Sequence, residues 1–211
     1  MLHTDHLEDL FTRYPALLPC RIPIEQAAEA LIACFRGGGK LLLAGNGGSA
    51  ADCLHIAGEL LKGFRSTRPL SAEDRAALST LFGDEGSKLG MTLQRGLPAI
   101  ALPAELALTS AMANDVDTEL IYAQGVLALG QPGDVLLCLS TSGTAKNIIV
   151  AARVARWRGL KTVALTGKDG GELATVCDIA VIAPGADTAE IQEHHLPIYH
   201  ALCAAVEAEL F

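Results

Sequence analysis

The stretch LLLAGNGGSAADCLHIAGE, residues 41–59, decides the fold. Its first four residues are apolar, as in a parallel strand that is covered on both faces. Three glycines then allow a sharp turn and expose backbone amides: Gly45, Gly47 and Gly48. Ser49 follows at the position expected of a helix N-cap. The sequence therefore predicts a strand over residues 41–44, a glycine turn, and a helix over residues 49–62.

This turn favours an anion, typically a phosphate, because unpaired amides and the helix dipole both attract negative charge. Deeper in the helix, His55 and Glu59 are four residues apart and so share one face. A phosphate anchor beside an imidazole and a carboxylate is typical of an active site.

Strands and helices alternate through the rest of the chain. Further strands are predicted at residues 99–102, 135–139, 162–165 and 179–182. Further helices are predicted at residues 117–128, 144–158, 172–176 and 188–210. This alternation predicts an α/β fold with a doubly wound, five-stranded parallel sheet. Residues 1–39 predict an N-terminal helical extension, and the last helix is a long C-terminal one.

Residues 63–97 interrupt the alternation, because they contain no convincing strand. Ser71 and Asp74 have the spacing of a capping box, which predicts one or two short helices. The segment is either a surface insertion or a lid over the site. A lid would use the cations of this segment: Arg65, Arg68 and Lys88.

The composition narrows the class of protein. The 211 residues suit a single domain, residues 1–211, and the net charge of −8 argues against a nucleic-acid surface. No apolar run reaches membrane-spanning length, which predicts no membrane contact. The N-terminus lacks the basic and apolar regions of a signal peptide, so we expect a cytoplasmic protein. Six widely spaced cysteines without a C-x-x-C pair predict reduced core residues.

A second loop repeats the logic of the first. In LLCLSTSGTAKN, residues 136–147, a buried strand runs into Ser140, Thr141 and Ser142, and a helix follows. Hydroxyls and amides at a helix N-terminus can donate to phosphate oxygens, although such residues are also ordinary caps. Ligands of open sheets bind outside the carboxyl ends of the strands, where the two loops would meet.

The last helix carries an unusual polar cluster: Gln192, Glu193, His194, His195 and His200. With His55 and Glu59, these residues make a plausible zinc set of two imidazoles, a carboxylate and an amide oxygen. The same groups could instead transfer protons. Beyond Ala201 the helix is nearly all apolar, which predicts burial against other helices or against a neighbouring subunit.

A dinucleotide site is the main alternative to a phosphate anchor, because Gly45, Gly47 and Ala50 fit G-x-G-x-x-A. Such a site also needs an acidic residue at the end of the next strand, about 20 residues further on. The next strand ends at Leu102 without one, so the sequence argues against this class.

Together these motifs resemble the sugar isomerase (SIS) domain family, and within it the phosphoheptose isomerases. The resemblance covers nearly the whole chain except residues 63–97. It is carried by GNGGSAADCLHIAGEL, AMANDVDTE, PGDVLLCLSTSG, ALTGKDGG and IQEHHLPIYH. The resemblance implies a SIS, flavodoxin-like fold and a homotetramer whose sites are shared between subunits.

The resemblance also implies roles for matching residues. The substrate-binding set would be Asn46, Gly47, Gly48, Ser49, Glu59, Asn114, Asp115, Ser140, Thr141, Ser142 and Gln192, with the three hydroxyl residues as the phosphate cradle. The acid–base pair would be Glu59 and His200. The zinc ligands would be His55, Glu59, Gln192 and His200.

The implied reaction interconverts sedoheptulose 7-phosphate and glycero-manno-heptose 7-phosphate. Glu59 would remove the proton beside the carbonyl to give an enediol, and His200 would either shuttle a proton between the two oxygens or return it to carbon. A zinc ion could polarise the sugar oxygens. The competing function is that of a non-catalytic SIS protein similar to the regulator that binds the initiator DnaA. That subgroup lacks the glutamate and the final histidine, whereas this chain keeps both.

Two departures from the family pattern affect the site. Ala145 stands where the family often has a hydroxyl near the phosphate, with Thr144 as a neighbouring substitute. Pro197 lies between Gln192 and His200, where it removes a helix hydrogen bond and is expected to bend the helix.

Overall fold

Five parallel strands form one sheet in residues 5–211, the part of the chain that the computed structural model describes. Residues 1–4 of the predicted N-terminal extension and single domain lie outside it. The strands are β1 (Leu41–Gly45), β2 (Ala99–Ala101), β3 (Val135–Ser140), β4 (Lys161–Gly167) and β5 (Ile179–Ala183). Their order is β2-β1-β3-β4-β5, which is the flavodoxin-like arrangement. The predicted fold class is confirmed.

Nine α-helices surround the sheet within the described residues. They are α1 (Asp5–Arg13), α2 (Arg21–Arg36), α3 (Gly48–Leu61), α4 (Ala72–Thr92), α5 (Leu106–Asp115), α6 (Ile121–Leu129), α7 (Lys146–Trp157), α8 (Gly171–Val176) and α9 (Thr188–Leu210). The predicted N-terminal helices and the long C-terminal helix are both present.

The sheet separates two hydrophobic cores, because alternate residues of each strand point to opposite faces. In β1, Leu41 and Leu43 pack with the side chains of α1, α2, α3 and α9. Leu42 and Ala44 pack with those of α6, α7 and α8. All five residues of β1 are buried, as the continuous apolar run predicts.

Helix α9 lies in the first of these layers and continues from Thr188 to Leu210 through Pro197. The side chain of Asp187 caps its start by accepting from the amides of Ala189 and Glu190. Residues 201–206 are buried against the other helices of the same chain, which is the first of the two predicted alternatives.

Three local predictions were wrong. Ser49 is not the N-cap of α3. Gly47 is the N-cap, at a positive φ of 54°, and the helix begins at Gly48 instead of at residue 49. Helix α5 was not predicted, since it buries no residue and so has no apolar stripe. The next helix begins at Ile121 rather than at residue 117, because Asp117 caps a short 3₁₀ turn before it.

The 63–97 segment is helical, as predicted. Ser71 caps α4 by accepting from the amide of Asp74 at 3.0 Å, which confirms the capping box start. Gly83, at a φ of +59°, interrupts α4. The two halves pack so closely that a Cβ at Gly86 would overlap the Leu78 carbonyl. The hairpin leaves the body of the protein where Pro69 pairs with Gln94. Whether it acts as a lid stays a prediction.

All six cysteines are buried free thiols, as predicted. No helix in residues 5–211 combines the length and apolar character that crossing a membrane requires.

Candidate active site

The two predicted phosphate loops meet at the carboxyl ends of β1 and β3. These strands are neighbours, with Gly45 opposite Leu139, and the chain leaves them toward opposite edges of the sheet. Asn46 and Asn147 join the loops through reciprocal side-chain amide bonds of 2.9 and 3.0 Å. This is the switch point at which ligands of such sheets bind.

The first loop is a tight glycine turn. A Cβ at Gly45 would come within 2.6 Å of the Ser49 carbonyl oxygen, and one at Gly48 would overlap Gln192 Nε2. The turn therefore brings the start of α3 against α9. Ser49 is buried in the first turn of α3, and Gly47 takes the N-cap position that was predicted for it.

The second loop carries the three predicted hydroxyls. Ser140 is buried at the end of β3, whereas Thr141 and Ser142 are partly exposed. Ser142 Oγ lies 2.9 Å from Thr144 Oγ1. The N-cap of α7 is Ala145, which offers no side-chain acceptor to the first amides of the helix. Those amides and hydroxyls are therefore the donors that an anion would meet here.

The acid–base cluster lies further along α3, where that helix faces α9. His55 Nε2 is 3.2 Å from Glu59 Oε1 and 3.4 Å from His200 Nε2. Lys62 Nζ lies 3.6 Å from the other oxygen of Glu59. The fold therefore brings His55 and Glu59 of α3 together with His200 of α9, as predicted.

Two residues outside the predicted set, Asp52 and Tyr199, complete this cluster. Tyr199 places its hydroxyl 3.0 Å from His55 Nδ1 and donates to Asp52 Oδ1 at 3.3 Å. Burial, and then Asp52, raises the pKa of Tyr199, so its hydroxyl stays protonated. Their spacing carried a signal, since Asp52 precedes His55 by one helix turn and Tyr199 is next to His200.

The carboxylate of Asp52 favours one tautomer of His55. Because Tyr199 donates to Asp52, its oxygen accepts from the Nδ1–H of His55. Nε2 then turns a lone pair toward the carboxylate oxygen of Glu59. Two facing lone pairs repel each other, and a metal cation between them would relieve this repulsion.

Gln192, a predicted zinc ligand, points away from the other three predicted ligands and toward Asp52. Its Nε2 donates to Asp52 Oδ2 at 3.2 Å, and no hydrogen bond joins it to His55, Glu59 or His200 within the described chain. It lies between the glycine turn and Asp52, so it connects the two halves of the site.

His200 is a neutral imidazole at the edge of the cluster. Burial lowers its pKa, and the neighbouring His55 lowers it further, so the imidazole is neutral near pH 7. Its ring also contacts that of Phe64, with centroids 5.4 Å apart. A cavity of about 200 Å³ opens beside it, lined by Arg13, Arg65 and Leu196 among others.

Asn114 and Asp115 are not joined to this cluster. They end the exposed helix α5, where Asn114 donates to Asp115 at 2.7 Å. No hydrogen bond or ion pair connects them to the cluster residues in the part of the chain that the structure covers.

The donor types suit zinc, since two imidazoles and a carboxylate form a known catalytic ligand set with an open position. Metal–ligand bonds of about 2.0–2.1 Å in a tetrahedron place the ligand atoms roughly 3.3 Å apart. The two separations at His55, 3.2 and 3.4 Å, match that spacing. Across residues 5–211, however, no group of three or more His, Cys, Asp or Glu side chains is already arranged to hold a metal ion.

Comparison with known proteins identifies the family of this chain. The SIS domain family model matches residues 21–90 and 91–167. The phosphoheptose isomerase of Trichlorobacter lovleyi is 41% identical over 207 residues, which cover 98% of this chain and 91% of the relative. The chain therefore belongs to the SIS domain family, within its phosphoheptose isomerase group. This membership places it among the phosphosugar isomerases.

Solved structures support the same assignment. The phosphoheptose isomerase of Neisseria gonorrhoeae superposes with a TM-score of 0.75 at 31% identity, covering 97% of this chain and 96% of its own. That of Francisella tularensis gives 0.73 at 31% identity, covering 96% and 98%.

Proposed function

We propose that the protein interconverts sedoheptulose 7-phosphate and glycero-manno-heptose 7-phosphate. The observation that carries the proposal is the cluster in which His55 lies within hydrogen-bond distance of both Glu59 and His200. Helix α3 runs from the glycine turn to this cluster, about 16 Å at 1.5 Å per residue. An elongated sugar phosphate would therefore bind with its phosphate at the loops and its carbonyl end at the cluster.

In the proposed reaction, Glu59 removes the proton from C1 of the ketose, and the electron pair of that bond forms the enediol double bond. His200 moves a proton from the O1 hydroxyl to O2. Return of the proton from Glu59 to C2 then yields the aldose. The neutral His200 supports this role, because a neutral imidazole can accept and donate a proton in one shuttle.

We also propose that zinc binds at this cluster through His55, Glu59 and His200, and through Gln192 once its amide turns away from Asp52. The lone pairs that face each other at His55 support a cation there. When bound, zinc would polarise the substrate oxygens and stabilise negative charge on them. The chain's own part is orientation: Asp52 and Tyr199 hold the His55 ring so that Nε2 faces the cluster.

The homotetramer and the cytoplasmic location belong to the proposal as well. Large apolar side chains that stay exposed on α4 and α5 support subunit contacts there: Leu81, Phe82, Met91 and Leu106. The apolar end of α9 does not, because it is buried within its own chain.

The test is a product assay with sedoheptulose 7-phosphate for wild type, Glu59→Gln and Glu29→Gln, run with zinc and after chelation. Glu29 is an exposed glutamate of α2 and serves as the matched control. Glu59→Gln should lower kcat by at least about a hundredfold, as loss of a general base does. Chelation should lower activity, and added zinc should restore it.

Full activity in Glu59→Gln would refute the mechanism. Unchanged activity after verified metal removal would refute a catalytic zinc. A wild-type protein that turns over no heptose phosphate would favour the non-catalytic, partner-binding function instead.

A further inference from the structure

The buried carboxylate of Glu207 binds the backbone amides of the loop that follows α3. Glu207, on α9, is 2% exposed and accepts from the backbone amides of Phe64, Arg65 and Ser66 at 2.8, 2.7 and 3.0 Å. It also accepts from Nε of Arg68 at 2.7 Å. These four donors lower the pKa of Glu207 in spite of its burial, so it is a carboxylate.

Arg68 continues this network to the end of α3. The side chain is fully buried, and its Nη1 donates to the Leu60 carbonyl at 2.7 Å. Its Nη2 donates to the Glu59 carbonyl at 3.3 Å. The guanidinium thus satisfies two carbonyls of the last helical turn, where a cation also complements the helix dipole. The predicted lid role is wrong for Arg68, because its guanidinium is held inside the protein.

The network reaches both members of the acid–base pair. Arg68 holds the backbone of Glu59 itself. Glu207 lies two helical turns after His200 on the same face of α9, and it binds the amide of Phe64, whose ring contacts His200. One buried ion pair therefore fixes α3 against α9 at the point where the two helices present Glu59 and His200.

We infer that Arg68 and Glu207 are positioning residues that set the relative placement of Glu59 and His200. The inference rests on the proposed function in so far as it assigns proton transfer to that pair. Displacing a reacting group by about 1 Å can cost roughly a hundredfold in rate. Only a fork-shaped guanidinium can bind the carboxylate and both carbonyls at once, so lysine cannot replace Arg68.

The experiment compares Glu207→Gln with Asp134→Asn in the full-length protein. Asp134 is a matched control, because it is also 2% exposed and accepts from the amides of Lys40 and Gln131 and from Lys40 Nζ. It precedes β3, at the opposite end of the sheet from the active site. Steady-state kinetics with sedoheptulose 7-phosphate are measured well below each variant's unfolding midpoint.

Both substitutions should lower the unfolding midpoint, because each removes a charge from a buried network. Only Glu207→Gln should also lower kcat, by about tenfold to a hundredfold. Its KM should stay within about twofold of wild type, since the phosphate loops are remote from the network. A loss of stability alone would not produce this split between kcat and KM.

Arg68→Lys is the second variant and decides the matter if Glu207→Gln does not fold. It keeps the charge but cannot span the three acceptors, so kcat should fall as in Glu207→Gln. A kcat equal to that of Asp134→Asn in either variant overturns the inference. When Glu59→Gln is inactive in the same assay, a kcat equal to that of Asp134→Asn overturns only the positioning role of Arg68 and Glu207. Full activity in Glu59→Gln instead overturns the proposed function.

Discussion

Ser142 is the residue through which the phosphate loop is most directly testable. The residue is partly exposed, and among the described residues its hydroxyl forms hydrogen bonds only with the neighbouring Thr144. It can therefore turn toward a ligand without breaking contacts in the core. Ser140, in contrast, is buried at the end of β3, where the loop begins.

We expect Ser142→Ala to raise KM about tenfold with kcat unchanged. One hydrogen bond to a charged phosphate contributes roughly 1.5–3 kcal/mol, and it is made equally in the ground and transition states. Steady-state kinetics of the variant measure this directly. Ser110→Ala is the control, because that hydroxyl bonds only to carbonyls of its own helix. Equal KM values for the two variants would contradict a phosphate role for Ser142.

At the scale of elements, the site is the seam between α3 and α9. Asp52 and His55 follow one another on one face of α3, and Gln192 and Tyr199 meet them from α9. Gly48 allows this contact at the amino end of the seam, because a side chain there would overlap the Gln192 amide. The glycine is therefore required for the site more than for the turn.

Gly48→Ala should keep the fold and lose activity. The added Cβ displaces the flexible end of Gln192 rather than any backbone, and so releases its bond to Asp52. We expect kcat/KM to fall about tenfold or more, as misplacement of site groups does. Thermal unfolding should change little.

Gly58→Ala is the matched control on the same helix. A Cβ at Gly58 meets open space, so this variant should gain up to about 1 kcal/mol in unfolding free energy at unchanged activity. Loss of activity in both variants would show that α3 tolerates no change, and wild-type activity in Gly48→Ala would remove Gln192 from the site.

At the scale of the whole molecule, the sequence predicted the elements that have a local pattern but not the contacts between residues far apart in the chain. The apolar runs located all five strands, because each inner strand buries both faces. The pairing of His55 with His200 followed from family resemblance. The Arg68–Glu207 pair did not, because 139 residues separate its members and neither has a periodic signal. Helix α5 was missed for the related reason that it buries nothing.

The dependence of stability on pH is a property of the whole fold. His195 is fully buried, its Nε2 bonds the Thr166 carbonyl, and burial lowers its pKa from the ordinary 6.5. Below pH 6.5 the unfolded chain therefore binds a proton that the folded chain refuses. Glu207, whose pKa is lowered from 4.5, repeats this effect at lower pH. Both groups make the folded state lose stability as the pH falls.

The unfolding free energy should accordingly fall in two steps, first below about pH 6.5 and again below about pH 4.5. Urea unfolding at pH 7.5, 5.5 and 4.0 measures both steps. His195→Gln should reduce the first step only, and His200, whose pKa is also lowered from 6.5, should account for what remains of it. Glu207→Gln should flatten the second and lower stability at pH 7.5 by about 1–3 kcal/mol, since it leaves buried donors without a charged partner. Constant wild-type stability between pH 7.5 and 4.0 would mean that neither buried group differs in proton affinity between the folded and unfolded chain.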